Sequence, residues 1–309
     1  MKKTILTLLI SIPIFLHAQQ GVVATGGDAE GPGGTMSSST GLTDFYVIQS
    51  EQFSLQFGLQ QTYMDIEMPP DTFAVYVKVV LEGAFSPGEG TVMHTHLHPY
   101  IPLSQPYAPD LPYFGNPSPR WYYEGEESVE AIPESVVDWL LLEIRDAPSA
   151  SQANAGTVVA RKAVFLHKYG QITCVHGDLP QFNVTIEHEL FVVVYHRNHL
   201  AIMSSGPLPV HYNVYEWDFV SEQKKAYVNP ERSSYQNGQK DLGGGFFGMY
   251  GGDGDGDGQV LLQDLLNVLN PQSGQSGYSA ADFDLDGQVL LQDLLNILNP
   301  NSGLGTQVP

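Results

Sequence analysis

Two twelve-residue stretches constrain this chain more than anything else in it. They are Asp253-Gly-Asp-Gly-Asp-Gly-Gln-Val-Leu-Leu-Gln-Asp264 and Asp282-Phe-Asp-Leu-Asp-Gly-Gln-Val-Leu-Leu-Gln-Asp293, one motif repeated at an offset of 29 residues. Asp253, Asp255, Asp257 and Asp264 place carboxylates at positions 1, 3, 5 and 12 of the first stretch, and Asp282, Asp284, Asp286 and Asp293 do so in the second. Gly258 and Gly287 stand at position 6, where a short loop must turn with a positive φ that a Cβ resists. A calcium ion takes about six to eight oxygens at about 2.3–2.6 Å, and this spacing wraps a loop around one. Gln259 and Gln288 at position 7 would add backbone carbonyls, and Val260 and Val289 at position 8 can pair or pack between the loops. The spacing therefore predicts two bound calcium ions.

Charge and hydrophobic patterning agree. From Asp241 to Pro309 there is no Lys, Arg or Glu, so the eight loop aspartates have no local counter-charge. Carboxylates crowded in this way repel one another unless a cation or protons neutralise them. A solvated acidic linker would not be followed by apolar helices. Here Leu261, Leu262, Leu265, Leu266, Val268 and Leu269 recur at helical spacing, and Leu290, Leu291, Leu294, Leu295, Ile297 and Leu298 repeat them. Pro271 and Pro300 mark the helix ends. Each helix is too short to hold alone in water, so metal binding is expected to supply part of the folding free energy.

A loop followed by a single helix, with Asp rather than Glu at position 12 and two copies in tandem, resembles a dockerin over residues 253–300. The resemblance implies calcium at both loops and a small α-helical module. It also implies a protein receptor, a cohesin-like or another surface protein. Leu262-Gln263 and Leu291-Gln292 stand where a Ser/Thr pair is typical of cohesin recognition.

Residues 1–18 read as a secretory signal peptide, with Lys2 and Lys3 ahead of a short apolar run and Ala18 before the cut. No later segment is apolar enough to span a bilayer. The expected location is outside the cell or on its surface. A formal charge of −21 argues against nucleic acid or anionic lipid as a partner. The single cysteine, Cys174, reads as a buried, inert thiol in an Ile-Thr-Cys-Val run.

The middle of the chain reads as mainly β. Residues 19–69 begin with Gly, Ser and Thr, giving loops or a turn-rich edge over 21–42. Two strands follow, over Asp44–Ser50 and Gln52–Gln60. Further strands are predicted at Phe73–Leu81, Val136–Arg145, Val158–His167, Gln171–Val175, Phe182–Ile186, Leu190–Arg197, His199–Met203 and Asn213–Val220. The pattern suggests an antiparallel, immunoglobulin-like β-sandwich over residues 70–242. Gly243–Gly252 reads as a linker to the calcium module at 253–309, with few contacts between the two. The tail is then expected to unfold alone when calcium is removed.

The words Leu81-Glu-Gly-Ala-Phe85, Ile101-Pro-Leu-Ser-Gln-Pro-Tyr107, Val136-Val-Asp-Trp139, Glu143-Ile-Arg-Asp146, Arg161-Lys-Ala-Val-Phe165, Tyr195-His-Arg-Asn-His-Leu200 and Lys240-Asp-Leu242 resemble a conserved region of large secreted surface proteins of the Bacteroidetes. That resemblance implies export and a surface role, with no chemistry attached.

Three other features bear on function. His94-Thr-His-Leu-His98 would put His94, His96 and His98 on one face if it were a strand, the one arrangement here suited to a transition-metal enzyme. Pro99, Pro102 and Pro106 break the strand early, and the run is expected not to be catalytic. His196-Arg-Asn-His199 reads as a turn in which Arg197 pairs with Asp138, Glu143 or Asp146. The aromatic, proline-rich segment 99–123 reads as a cover over one end of the sandwich, or as a surface for sugar rings or a protein partner. No nucleophile elbow, His-Glu-x-x-His helix or phosphate loop occurs, so the chain is expected to be non-catalytic. Adhesion or assembly is the first expectation, and membership of a polysaccharide-binding or polysaccharide-degrading assembly is the second.

Overall fold

The computed structural model describes residues 25–31, 34–40, 46–49, 54–57, 72–88, 91–108, 119–233 and 236–309. The predicted signal peptide, and Tyr113 and Phe114 of the aromatic segment, lie outside the described residues. The chain divides into two compact units, Met1–Ile48 with Phe53–Asp65, and Gln49–Gln52 with Ile66–Pro309. The first holds an antiparallel hairpin, Thr25–Gly31 against Gly34–Thr40, where loops or a turn-rich edge were expected. It also holds most of a two-stranded sheet, Tyr46–Gln49 with Ser54–Phe57, inside the two predicted strands.

The second unit is built on two larger sheets. One is five-stranded and antiparallel, in the order Ile172–Thr173, Val158–His167, Val136–Ala147, Glu189–His196, His199–Met203. Its central strand, Val136–Ala147, is buried on both faces, which explains its unbroken apolar run of Trp139 to Leu142. The other sheet runs Gln181–Asn183, Thr72–Lys78, Val214–Asp218, Val210–His211. Here Val214–Asp218 pairs with Thr72–Lys78 in parallel, a departure from the all-antiparallel expectation. Phe73, Val75 and Val77 from this sheet share one core with Trp139, Phe165, Val192 and Val194 from the other. Burying each such side chain contributes roughly 1.5–3 kcal/mol.

Two irregularities in the five-stranded sheet set the position of buried polar groups. The register shifts between Val136 and Asp138, and again between Val194 and His196. A bulge re-aims the side chains beside it. Here the two bulges bring Asp138 and His196 to 3.0 Å of each other, both fully buried.

The glycine-rich run 243–252 is not a linker. Lys240–Gly243 and Phe246–Gly248 form a hairpin, and Gly244 and Gly245 both have positive φ, as a tight two-residue turn requires. Beyond it Met249 is buried and bonds through its backbone to Val80 and Glu82, and Gly251 bridges to His199. The glycines are there for turn geometry and close packing, and the tail they lead into belongs to the same compact unit as the sheets.

The tail is a short double repeat. After each acidic loop comes a helix with a π-helical stretch, Asp264–Leu269 and Asp293–Leu298, closed by a short α turn, Asn270–Gln272 and Asn299–Asn301. Asn270 N–H bonds to Leu265 O and Asn299 N–H to Leu294 O, five residues back. The proline that follows each asparagine explains the widening: its ring crowds the carbonyl four residues earlier and it has no N–H to offer. Each helix therefore runs one residue past its proline before it ends. Among the described residues no helix is long and apolar enough to cross a membrane.

Candidate metal centre

The two acidic loops share most of their hydrogen bonds, but Asp286 N–H also donates to Asp282 Oδ1 at 3.1 Å, whereas the matching oxygen of the first loop, Asp253 Oδ1, has no hydrogen-bond partner. In the first, Gly258 N–H donates to Asp253 Oδ2 at 3.1 Å, Asp257 N–H to Asp255 Oδ1 at 3.1 Å, and Gln259 N–H to Asp257 Oδ1 at 2.8 Å. In the second, Gly287 N–H donates to Asp282 Oδ2 at 3.0 Å, Asp286 N–H to Asp284 Oδ1 at 3.3 Å, and Gln288 N–H to Asp286 Oδ1 at 2.8 Å. The position-12 aspartates tie the loops shut. Asp264 takes the N–H groups of Gly254 and Leu261, each at 2.7 Å, and Asp293 those of Phe283 and Leu290, at 2.6 and 2.8 Å. An aspartate is short enough to reach these groups with both oxygens, which fixes the loop's diameter from inside.

Carboxylate oxygens of Asp253, Asp255 and Asp257 converge in the first loop, and those of Asp282, Asp284 and Asp293 in the second; each set could hold a metal ion. Asp264 and Asp286 stand beside these triads rather than within them. Burial pushes the Asp253 carboxyl well above the usual carboxylate range, with Asp264, Asp257 and Asp255 adding repulsion. Burial likewise lifts Asp282 to about 8, although the Arg197 guanidinium pulls it back, and Asp284 to about 7. Asp264 rises to about 6, mainly through burial. Such groups must gain protons or a cation. Asp253 Oδ1 is buried without a hydrogen-bond partner, an oxygen for which a bound cation would account.

The residues at positions 7 and 8 divide the work. Val260 N–H bonds to Leu304 O at 2.9 Å and Val260 O accepts from Gly303 N–H at 2.8 Å; Val289 does the same with Gln275 and Gly274. Val260 and Val289 thus share a core, but their backbones do not pair with each other. Each pairs with the segment that follows the other repeat's helix. Along an extended chain the N–H and C=O of one residue face the same side and its neighbour's face the opposite one. Gln259 and Gln288 point their N–H groups at the loop aspartates, so their carbonyls share the loop side.

Both loops are embedded in the β body. Above the first, Arg120 N–H bonds to Gly256 O at 3.0 Å and Arg120 Nε to Asp257 O at 3.2 Å, with Trp121 packed against Gly256. Tyr100 packs against Gly287 of the second. Beneath the second loop lies the hairpin turn Arg197–Asn198. Asn198 Nδ2 donates to Asp282 O at 2.7 Å and to Ala280 O at 3.2 Å, and Arg197 Nη1 donates to Ser279 O. Arg197 is paired with Asp138 at 3.1 Å and lies over the Tyr278 ring at 4.3 Å. Asp138 also accepts from Tyr278 OH at 2.8 Å and contacts His196 Nε2 at 3.0 Å; His196 Nδ1 in turn meets His199 Nδ1 at 3.0 Å. The aspartate is held below its usual range by Arg197 and His196 against the opposing effect of burial, the largest single influence. Both imidazoles are pushed down, by burial first. An ionised Asp138 and two neutral histidines therefore form a buried polar network with the guanidinium.

The other candidates fall elsewhere. His94 and His96 stack at 4.2 Å, whereas His98 opens a 3-10 turn, His98–Tyr100, and meets Ile132 O at 3.1 Å. The segment is not a strand, because Pro99 follows directly and the chain turns, so the three imidazoles do not share a face. Of the three partners considered for Arg197, Glu143 is taken by Arg145 and Arg161, and Asp146 by the backbone of Glu187 and His188. Tyr107 and Trp121 are buried edge to face at 5.5 Å, covering the core rather than facing outward. Cys174 is half-buried, and burial raises its thiol. Sequence reading missed Arg120, Tyr278 and the role of Asn198, since each acts across a long separation in sequence. Compared with known proteins, the chain matches no family model, no curated protein and no solved structure.

Proposed function

We propose that this chain is a non-catalytic, exported calcium-binding protein that serves adhesion or assembly at the cell surface. Two ions sit in the loops, held by Asp253, Asp255, Asp257, the Gln259 carbonyl and Asp264, and by Asp282, Asp284, Asp286, the Gln288 carbonyl and Asp293. The observation that carries this reading is the buried, unpartnered Asp253 Oδ1 inside one of two carboxylate cradles. Oxygen-only donors favour a hard cation of calcium's size over zinc or copper. Equilibrium dialysis of the full chain should give two calcium ions per molecule, and none once Asp253→Ala and Asp282→Ala are combined. Undiminished binding in that double variant would reject the assignment.

A second reading, that the tail docks onto a cohesin-like or other surface receptor within a polysaccharide-handling assembly, has one observation in its favour. Leu262 and Leu266 are 61% and 53% exposed, and Leu291 and Leu295 repeat those values in the second copy. The exposed positions around them are Gln263, Asn267, Gln292 and Asn296, without a charge. Calcium-dependent binding to a cohesin, lost on Leu262→Asp with Leu291→Asp, would support it; binding indifferent to those changes would not.

A further inference from the structure

We propose that Lys240 and Asn301 become joined by an amide between their side chains, formed inside the folded protein with Glu82 carrying the protons. None of the three residues belongs to either acidic loop, so the inference is independent of the calcium reading. Lys240 opens the hairpin strand Lys240–Gly243, Asn301 ends the helix turn Asn299–Asn301, and Glu82 lies in the turn after Leu81. Lys240 Nζ lies 2.9 Å from Asn301 Oδ1 and is ion-paired with Glu82 Oε1. Asn301 Nδ2 donates to Glu82 Oε2 at 2.6 Å and to Gly251 O at 2.9 Å. Gly251 N–H donates to Glu82 Oε2 at 3.0 Å, fixing the carboxylate. Asn301 and Glu82 are buried, and the Lys240 side chain is three-quarters so.

Amine, amide and carboxylate form a closed ring, one carboxylate oxygen on the attacking nitrogen and the other on the leaving one. An ordinary ion pair needs no amide carbonyl set against the ammonium. A lysine becomes a nucleophile only after it loses its proton, and a carboxylate in contact can take it. Held geometry replaces a bimolecular encounter, and burial limits competing hydrolysis. The neutral Nζ attacks Cγ of Asn301, the Nζ–Cγ bond forms and Cγ–Nδ2 breaks. Glu82 passes the two protons released from Nζ to Nδ2, which departs as ammonium, and Glu82 ends as the carboxylate it began. Ammonium and amide give amide and ammonium, with no oxidant or co-reactant. The bond would tie the second repeat to the β body in a chain whose single cysteine cannot form an internal disulfide.

Peptide mapping of the purified full chain tests this. The bond makes Lys240 resistant to trypsin, so Ser233 to Pro309 should stay in one peptide, lighter than its sequence by one ammonia, since no other Lys or Arg lies between 241 and 309. Cutting next at aspartates should leave a branched product joining the Lys240 and Asn301 segments. That linkage distinguishes the bond from ammonia lost at Asn237-Gly238 or at an N-terminal glutamine. Glu82→Gln and Lys240→Arg should each restore the full mass, and Glu82→Gln should restore cleavage after Lys240. Wild-type protein cleaved after Lys240, with Asn301 intact, would overturn the proposal whether or not the variants fold. A cross-link that persists in Glu82→Gln would overturn the part given to Glu82.

Discussion

Asn198 donates its side-chain N–H to the backbone carbonyl of Asp282 at 2.7 Å, so a hairpin turn of the β body holds the residue that opens the second acidic loop. Asn198 is fully buried, and its other donor contact goes to Ala280 O. Replacing it with alanine strands two carbonyls beneath the loop. Asn198→Ala should therefore lower stability by about 1–3 kcal/mol in denaturant unfolding. It should also weaken calcium at the second loop more than at the first. Equal loss at both loops, or none, would separate the turn from the site.

Trp121 ties the first loop to the body in a way that spectroscopy can read. A Cβ on Gly256 would stand 2.4 Å from Trp121 Nε1. Terbium in place of calcium should emit by energy transfer from this indole, and Trp121→Phe should remove most of that signal. Gly256→Ala should destabilise beyond the about 1–2 kcal/mol of a left-handed residue, because the methyl also meets Trp121. Gly274→Ala, at φ +82° with nothing within 4 Å, should show only the backbone cost. Similar losses at both glycines would mean that the indole does not press on the loop.

What the sequence revealed and what it hid divide along physical lines. The two carboxylate clusters were legible because they are local, set by spacing within twelve residues. Strand positions were legible because alternation and β-branched runs are local too: Val158–His167 and His199–Met203 fall where predicted. The parallel pairing of Thr72–Lys78 with Val214–Asp218 joins segments far apart and leaves no mark in either. Glycine content misled at 243–252, since the same residue serves flexible linkers and tight turns. Leucine spacing overstated the tail's core: Val268 and Leu269 are buried, whereas Leu262 and Leu266 face solvent. The seating of the loops on Arg197, Asn198 and Trp121 depends on tertiary neighbours that no pattern in the repeats announces.

The crossed pairing of the repeats makes the last segment part of the first site. Val260 is bonded on both sides to Gly303 and Leu304, and Thr306 N–H reaches Gly258 O at 2.8 Å. A chain ending at Ser302 should lose calcium at the first loop while retaining more of it at the second, whose partner strand is Gly274–Gln275. Two sites of unchanged affinity would contradict that arrangement.

Acid should weaken the fold through buried imidazoles. Burial lowers His167, His196 and His199 below the ordinary histidine value. The unfolded chain then takes up protons first, at about pH 6.5, and stability falls as pH drops below that until the folded-state values are reached. Each of the three adds a slope of up to about 1.4 kcal/mol per pH unit within that window. Denaturation at saturating calcium, which holds the loop aspartates ionised, should show this loss between pH 7 and 5. His167→Gln should flatten it by about one proton, and a level profile would refute the assignment.

The acidic loops and the β body lie in one compact unit and should fold together. Scanning calorimetry of the full chain, with calcium and then with chelator, tests this most directly. A ligand that binds only the native state raises the temperature of whatever unit contains its site. Residues 66–309 should melt in a single main transition that calcium moves upward, with no shift in the Asp253→Ala, Asp282→Ala variant. A separate small transition that alone responds to calcium, above an unmoved larger one or below it, would instead mean that the tail folds independently.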